Sequence, residues 1–459
     1  MKKSHLFSGP IGWTFWYLLV LGVFVTACTS TGPGRLFQSL SPHEQYARSL
    51  ADARLERTAL GADWLAAGEK ALRDSLTITA PYRESGYFSA GKPFAVGYRI
   101  SGRRGDKFIV RIDVQGRQPV QMFVDVFELD EQRRNRSDRL TSAKIDSAVT
   151  TLQFDWEVRR DRVHLIRVQP ELLRSGRYTL SITREPILSF PVSGRDSRSI
   201  SSFFGAPRDA GRRSHEGIDI FAPRGTPVVA SSEGVISGVG TNNLGGNVVW
   251  LSDARRSHTL YYAHLDSWAV NEGQRVVTGD TLGFVGNTGN ARTTSPHLHF
   301  GVYRFGGGAV DPLPYVRLGT GPARQSLLPA ETLGDSLRIS ATRGLLRQSP
   351  RSESAILREL PRSSPLLVLG GTANWLRVEL PDGATGYVSA ETAEPIRRTL
   401  RRLPLPNGAD IRETADGRSA VVKLLSPGSV VDVLGVVGSF QLIRSQEGVT
   451  GWVRRETTP

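Results

Sequence analysis

The sequence predicts a mainly β, multidomain chain with one short helical segment near its N-terminus. Three observations carry that expectation. The chain has 459 residues, more than a single hydrophobic core usually organises. Its middle consists of short runs rich in Val, Ile, Phe and Tyr, broken by clusters of Gly, Asn, Asp and Ser. Its C-terminal part repeats itself with a constant offset of 65 residues. Hydrophobic content of 39% and charged content of 22% are those of ordinary globular material. The formal net charge is +14, carried mostly by arginine, which suits an anionic neighbour. No Lys/Arg-rich run or basic-aromatic interleaving accompanies it, so nucleic acid is not expected as a partner.

Residues 1–28 have the layout of an export signal. Lys2 and Lys3 precede the apolar run "WTFWYLLVLGVFVTA", which ends at Cys28, the only cysteine. The run is short for a membrane span, although an uncleaved anchor is the competing reading. "VTAC" at 25–28 resembles the lipobox of bacterial lipoproteins. That resemblance implies that Cys28 is lipidated and tethers an exported protein to the cell envelope. Thr29 is not the aspartate that retains lipoproteins at a Gram-negative inner membrane, so the expected location is the outer membrane, facing the periplasm.

A tether (29–40) leads into a helical segment (41–76). Ser41 can cap the helix, Pro42 suits its first turn, and Glu44 completes a capping box. Leu60, Trp64, Ala67 and Ala71 follow helical spacing. From 77 to 192 the strands "FAVGYRI", "KFIVRIDV", "VQMFVDVFEL", "TLQFDWEV", "VHLIRVQP" and "RYTLSIT" predict an antiparallel sandwich. Its His164 has no motif around it and reads as structural. Residues 196–317 form a Gly-rich, strand-rich block holding five of the eight histidines, and 318–335 reads as a linker. The first copy of the repeat spans 336–396 and the second 397–457, and "WLRV" at 375–378 aligns with "FQLI" at 440–443 and "GYV" at 386–388 with "GWV" at 451–453. These pieces resemble bacterial SH3-like domains, small barrels found on wall-lytic enzymes.

The histidine-rich block carries the chemistry. In "TSPHLHFGVY", His297 and His299 stand two positions apart among strand-forming residues, so both face one side with Cα atoms ~6–7 Å apart. A bare HxH pair is also what two surface histidines on an edge strand would look like. Upstream, "HEGID" in an extended chain puts His215, Gly217 and Asp219 on one face, with Ile218 and Ile220 turned to the core. The glycine between them removes a side chain that would obstruct a shared ligand. His, Asp and one imidazole of the HxH pair give three N/O donors with an open position, the pattern of a catalytic rather than a structural zinc. "LYYAHLDSW" adds His264.

In order, "FFGAPRD", "HEGIDIFAPRGTPV", "YYAHLD", "GFVGNTG", "SPHLHFGVY" and "VDP" resemble the lysostaphin-type, or LytM-like, zinc endopeptidases over about 203–317. The resemblance implies that His215, Asp219 and His299 bind one zinc ion per chain, that His264 and His297 are catalytic, and that the substrate is a peptide bond in peptidoglycan cross-bridges. "GNARTTS" before the HxH pair is longer than in the simplest members. Which of His264 and His297 is the general base stays open. So do two other roles for the chain: a non-catalytic activator of other wall hydrolases, or a wall-binding scaffold lipoprotein. His258 has no counterpart in the motifs and reads as a surface residue. Every expected ligand lies within 215–299, so removal of 336–459 is expected to spare turnover of a small soluble peptide.

Overall fold

The computed structural model describes residues 39–130, 136–146, 150–325 and 329–455; the leader, Cys28 and most of the tether lie outside the described residues. Two helices open it, α1 (Pro42–Asp52) and α2 (Ala59–Arg73). The capping box forms: Ser41 accepts from the Glu44 amide while the Glu44 carboxylate accepts from the Ser41 amide. Trp64 and Ala71 are buried, as their spacing requires, and the indole donates to the Pro170 carbonyl at 2.8 Å. No helix among the described residues is long and apolar enough to cross a membrane.

The helices rest on a two-sheet sandwich. One sheet runs Leu76–Ile78, Val96–Gly102, Arg162–Pro170, Met122–Asp130 and Arg136–Ile145. The other runs Thr151–Glu157, Asp106–Gly116, Gly176–Pro186 and Tyr82–Phe88. Inward residues of both, among them Tyr98, Val110, Ile112, Val126, Ile166 and Leu180, make one core. The second sheet does not end at Tyr82–Phe88. Ser85 and Gly86 pair with Gly371 and Gly370 of Pro365–Thr372, so it continues into the first C-terminal barrel. The second barrel has its own six-stranded sheet and core.

The stretch read as a linker is tied down at both ends. Thr320 exchanges hydrogen bonds with Arg184 of the sandwich, and Leu333 is buried in the first barrel's core.

The histidine-rich block is built on a sheet ordered Ile200–Ser202, Ile218–Phe221, His297–Arg304, His258–Trp268, Gly246–Asp253, Gly234–Asn242, Arg275–Val276. Its three central strands are apolar on the core face, through Ile218, Ile220, Leu260, Tyr262, Leu298, Phe300 and Val302, all fully buried. Alternation sends the intervening residues to the opposite face, where Asp219 pairs in register with His299 and Phe221 with His297. His258 departs from expectation. It is buried, with its ring edge-on to Tyr315 at 5.3 Å. Tyr315 arrives from a short helical turn 57 residues downstream (315 − 258), a partner that local sequence does not reveal.

Candidate active site

Two adjacent strands carry Asp219 and His299, and the extended stretch just before the first of them brings in His215. His215 Nε2 lies 3.0 Å from Asp219 Oδ1 and 2.9 Å from His299 Nδ1, and His299 Nδ1 lies 3.1 Å from Asp219 Oδ1. The donor chemistry shows what such a triangle wants. His215 Nδ1 is 2.9 Å from the Phe203 carbonyl, which can only accept, so that nitrogen carries a proton and in the neutral ring Nε2 carries the lone pair a metal takes. Two imidazole nitrogens and a carboxylate oxygen this close together are the donor set of a zinc site. Zinc with ligands at ~2.0–2.1 Å in tetrahedral array separates them by ~3.3 Å, close to the spacing found. The residues fit the metal.

Two features hold the triangle. A Cβ added to Gly217 would come within 2.7 Å of the His299 ring and 2.5 Å of the Phe300 carbonyl, so only glycine admits the imidazole here. Arg208 donates to Asp219 Oδ2 at 2.8 Å and to Ser202 Oγ at 2.6 Å, which fixes the carboxylate and leaves Oδ1 for the shared point. Burial opposes ionisation of Asp219, but the hydrogen bonds and charges of His215 and His299 outweigh it and hold the carboxyl well below the ordinary range.

His264 and His297 stand beside the triangle. The His264 ring centroid is 5.0 Å from that of His297 and 5.9 Å from that of His299, and His297 Nε2 lies 4.0 Å from Asp219 Oδ1. Each Nδ1 faces a backbone carbonyl at 2.9 Å, Thr288 for His264 and Ser295 for His297, so each leaves Nε2 for chemistry. Phe221 stacks on the His297 ring at 5.0 Å. His264 holds an unusual backbone for a histidine, φ 64°, at a bulge in His258–Trp268 where its amide donates to the Gly245 carbonyl. The Gly245–Gly246 turn behind it needs its glycine. Gly246 has φ 63°, and a Cβ there would meet the Gly289 nitrogen at 2.3 Å. Burial, then the charges of His297 and His299, push His264 down to about 4.

All five sequence-predicted residues therefore converge. Arg208 and the carbonyls of Phe203, Thr288 and Ser295 were not foreseen. Arg208 lies inside "FFGAPRD", but nothing in the string says that its guanidinium reaches Asp219.

Comparisons with known proteins place family matches on this block and on the first barrel. Residues 213–312 match peptidase family M23, and residues 344–394 match the bacterial SH3 domain. The chain carries a family M23 (LytM-type) peptidase domain and a bacterial SH3 domain. It is 37% identical over 140 residues to the L-Ala--D-Glu endopeptidase of Bacillus subtilis, covering 28% of this chain and 43% of that protein. It is 46% identical over 101 residues to the DD-carboxypeptidase/endopeptidase Mpg of Neisseria meningitidis serogroup B, covering 22% of each. It thus spans less than half the length of these curated relatives. Among solved structures it resembles the catalytic domain of the antimicrobial peptidase lysostaphin from Staphylococcus simulans. That match has 34% identity, covers 25% of this chain and 90% of that one, and has a TM-score of 0.24.

Proposed function

We propose that the chain is a zinc endopeptidase that hydrolyses peptide bonds in peptidoglycan cross-bridges. The observation that carries this reading is the convergence of His215 Nε2, Asp219 Oδ1 and His299 Nδ1 on one point, two nitrogens and a carboxylate oxygen all within 3.1 Å of one another. These three residues would hold the metal, which when bound supplies Lewis acidity toward water and a peptide carbonyl. The remaining work falls to the chain. Arg208 keeps the Asp219 carboxylate from rotating. One of His264 and His297 takes the proton of the attacking water at Nε2 and later returns it to the leaving amine; the other, as an imidazolium protonated on both nitrogens, donates from Nε2 to the developing oxyanion. The carbonyls of Thr288 and Ser295 fix both rings against rotation and against the wrong tautomer. The strained backbone at His264 supports a functional role, since such strain persists where the surrounding structure imposes it.

The names of the related endopeptidases support a wall substrate, and the signal-like leader with Cys28 supports an exported protein held on the envelope by lipid. Digestion of purified sacculi with product analysis, beside measurement of bound zinc, tests the reading. One zinc per chain with release of cross-bridge fragments is the expected result. Full zinc loading with intact sacculi would favour the non-catalytic activator instead.

A further inference from the structure

Every polar group of Thr288 is turned on the chain around His264. Its carbonyl accepts from His264 Nδ1 at 2.9 Å, and its amide donates to the His264 carbonyl at 3.4 Å. Its hydroxyl donates to the Leu265 carbonyl at 2.8 Å and accepts from the Asn247 amide at 2.9 Å. One hydroxyl thus ties the loop after Thr281–Val285 to strand His258–Trp268 and to the start of Gly246–Asp253. Two further bonds close the same seam: the Asn290 amide to the Leu244 carbonyl at 3.1 Å, and Asn247 Nδ2 to the Asp266 carbonyl at 3.0 Å.

The seam lies where the backbone needs it. Ala263 pairs with His299 on the site face, so strict alternation would turn position 264 to the core. The strand avoids this with a bulge. Val249 pairs with Tyr262 and Asn247 with Leu265, so Val248 stands opposite both Ala263 and His264. His264 returns to the site face, and Leu265 goes to the core. The bulge requires φ 64° at His264, a left-handed backbone that a β-carbon makes costly and that persists only where the surroundings impose it. The Gly245 carbonyl holds the His264 amide at 2.7 Å, and Thr288 holds the two carbonyls that follow.

We infer that Thr288 is a positioning residue for His264: its hydroxyl locks the bulge, and its carbonyl locks the ring within it. The consequence for turnover rests on the peptidase reading above; the hold on the ring does not. A threonine that only capped a turn would affect the folded fraction. A positioning residue changes the rate per folded molecule and leaves substrate affinity alone.

The test uses the full chain loaded with zinc, as Thr288→Val, which keeps the shape without the hydroxyl, and Thr288→Ser, which keeps the hydroxyl. On a soluble cross-linked wall peptide, Thr288→Val should lower kcat per bound zinc about 10- to 100-fold with KM within about twofold. Thr288→Ser should stay within about threefold of wild type. In a His264→Ala background, Thr288→Val should cost nothing more. Nuclear magnetic resonance of histidine-labelled protein adds a readout independent of cleavage. The His264 Nδ1 proton, assigned by its loss in His264→Ala, should be protected from exchange in wild type and Thr288→Ser and unprotected in Thr288→Val. A kcat per zinc unchanged in Thr288→Val, a serine variant as slow as the valine one, or a full further loss in the His264→Ala background each overturns the proposal. So does an Nδ1 proton indifferent to Thr288→Val, whether or not the chain cleaves. A wild type that cleaves nothing, yet loses that proton's protection only in Thr288→Val, would sink the peptidase reading and leave the hold on His264 standing.

Discussion

His297 and His299 share one face of their strand but differ in what their nitrogens touch, so alanine at each should separate their roles. His299→Ala removes a donor 2.9 Å from His215, and zinc content and cleavage should fall together. His297→Ala leaves the triangle intact and should keep most of the zinc while slowing sacculus digestion by about two to four orders of magnitude. Metal analysis and digestion rate on the same preparations check both; zinc lost from His297→Ala and kept in His299→Ala would reverse the assignment. A second histidine offers a test of pH dependence. His164 is fully buried beside Phe108 and Trp156 with both ring nitrogens unpartnered, and burial pushes it down to about 4. The folded chain therefore holds it neutral while the unfolded chain protonates it below about 6.5, so the unfolded state binds more protons and acid destabilises the fold. Its contribution is intact above pH ~6.5 and declines by about 3 kcal/mol as pH falls toward 4. His43 shifts in the same direction, by burial and then Arg167. The informative quantity is thus the difference in unfolding midpoint between wild type and His164→Phe across pH 7 to 4.5. A constant difference would mean that His164 does not titrate with unfolding.

Elements were legible where one face is plainly apolar. "KFIVRIDV" and "VHLIRVQP" alternate or run apolar, and they form strands Asp106–Gly116 and Arg162–Pro170. "YRESGYF" does not, yet Tyr82–Phe88 is the strand that joins sandwich to barrel. Its inward positions are Tyr82, Glu84, Gly86 and Phe88, and a buried glutamate in that row hides the period. What makes Glu84 acceptable lies far along the chain: Arg377 at 2.9 Å, Tyr82 at 2.6 Å and Tyr178 at 3.2 Å. The repeat shows that Arg377 belongs to this junction and not to the barrel design, because the equivalent position, 65 residues on, is Leu442 packed against Leu434 and Trp452. The five site residues were readable for the opposite reason. Their motifs are short, and period two alone puts Asp219, His297 and His299 on the face opposite the core. Arg377→Leu should strip a buried carboxylate of its countercharge and lower stability by about 3–5 kcal/mol, whereas Glu84→Leu with Arg377→Leu should recover most of it. Thermal unfolding of the three proteins decides; additive losses in the double variant would mean that the pair is not coupled.

At the scale of the whole molecule the structure alters what truncation should do. The sequence, with its apparent linker, suggested that 336–459 could be removed without consequence for chemistry at 215–299. Yet the first barrel shares a sheet with the sandwich, and the sandwich grips the peptidase block. Asp106 receives Arg317 at 2.5 Å, Glu157 receives Arg256 at 2.6 Å, and the Leu188 amide donates to the Tyr315 carbonyl. The second barrel hangs on the first by lesser contacts, including Arg338 to the Leu434 carbonyl at 2.9 Å and Val436 to Ser363. Two truncations should therefore part company. Removal of 397–459 leaves the shared sheet and Glu84–Arg377 intact, so unfolding temperature, zinc content and small-peptide turnover should stay near those of the full chain. Removal of 336–459 bares strand Tyr82–Phe88 as an open edge and leaves Glu84 buried without its arginine. The sandwich should then unfold at lower temperature and aggregate, and small-peptide turnover should fall with the folded fraction while turnover per folded, zinc-loaded molecule is preserved. Comparing activity normalised to bound zinc distinguishes the two effects. If the longer truncation keeps the full chain's unfolding temperature, the shared sheet contributes little; if it loses activity per zinc, the barrel shapes the active site itself.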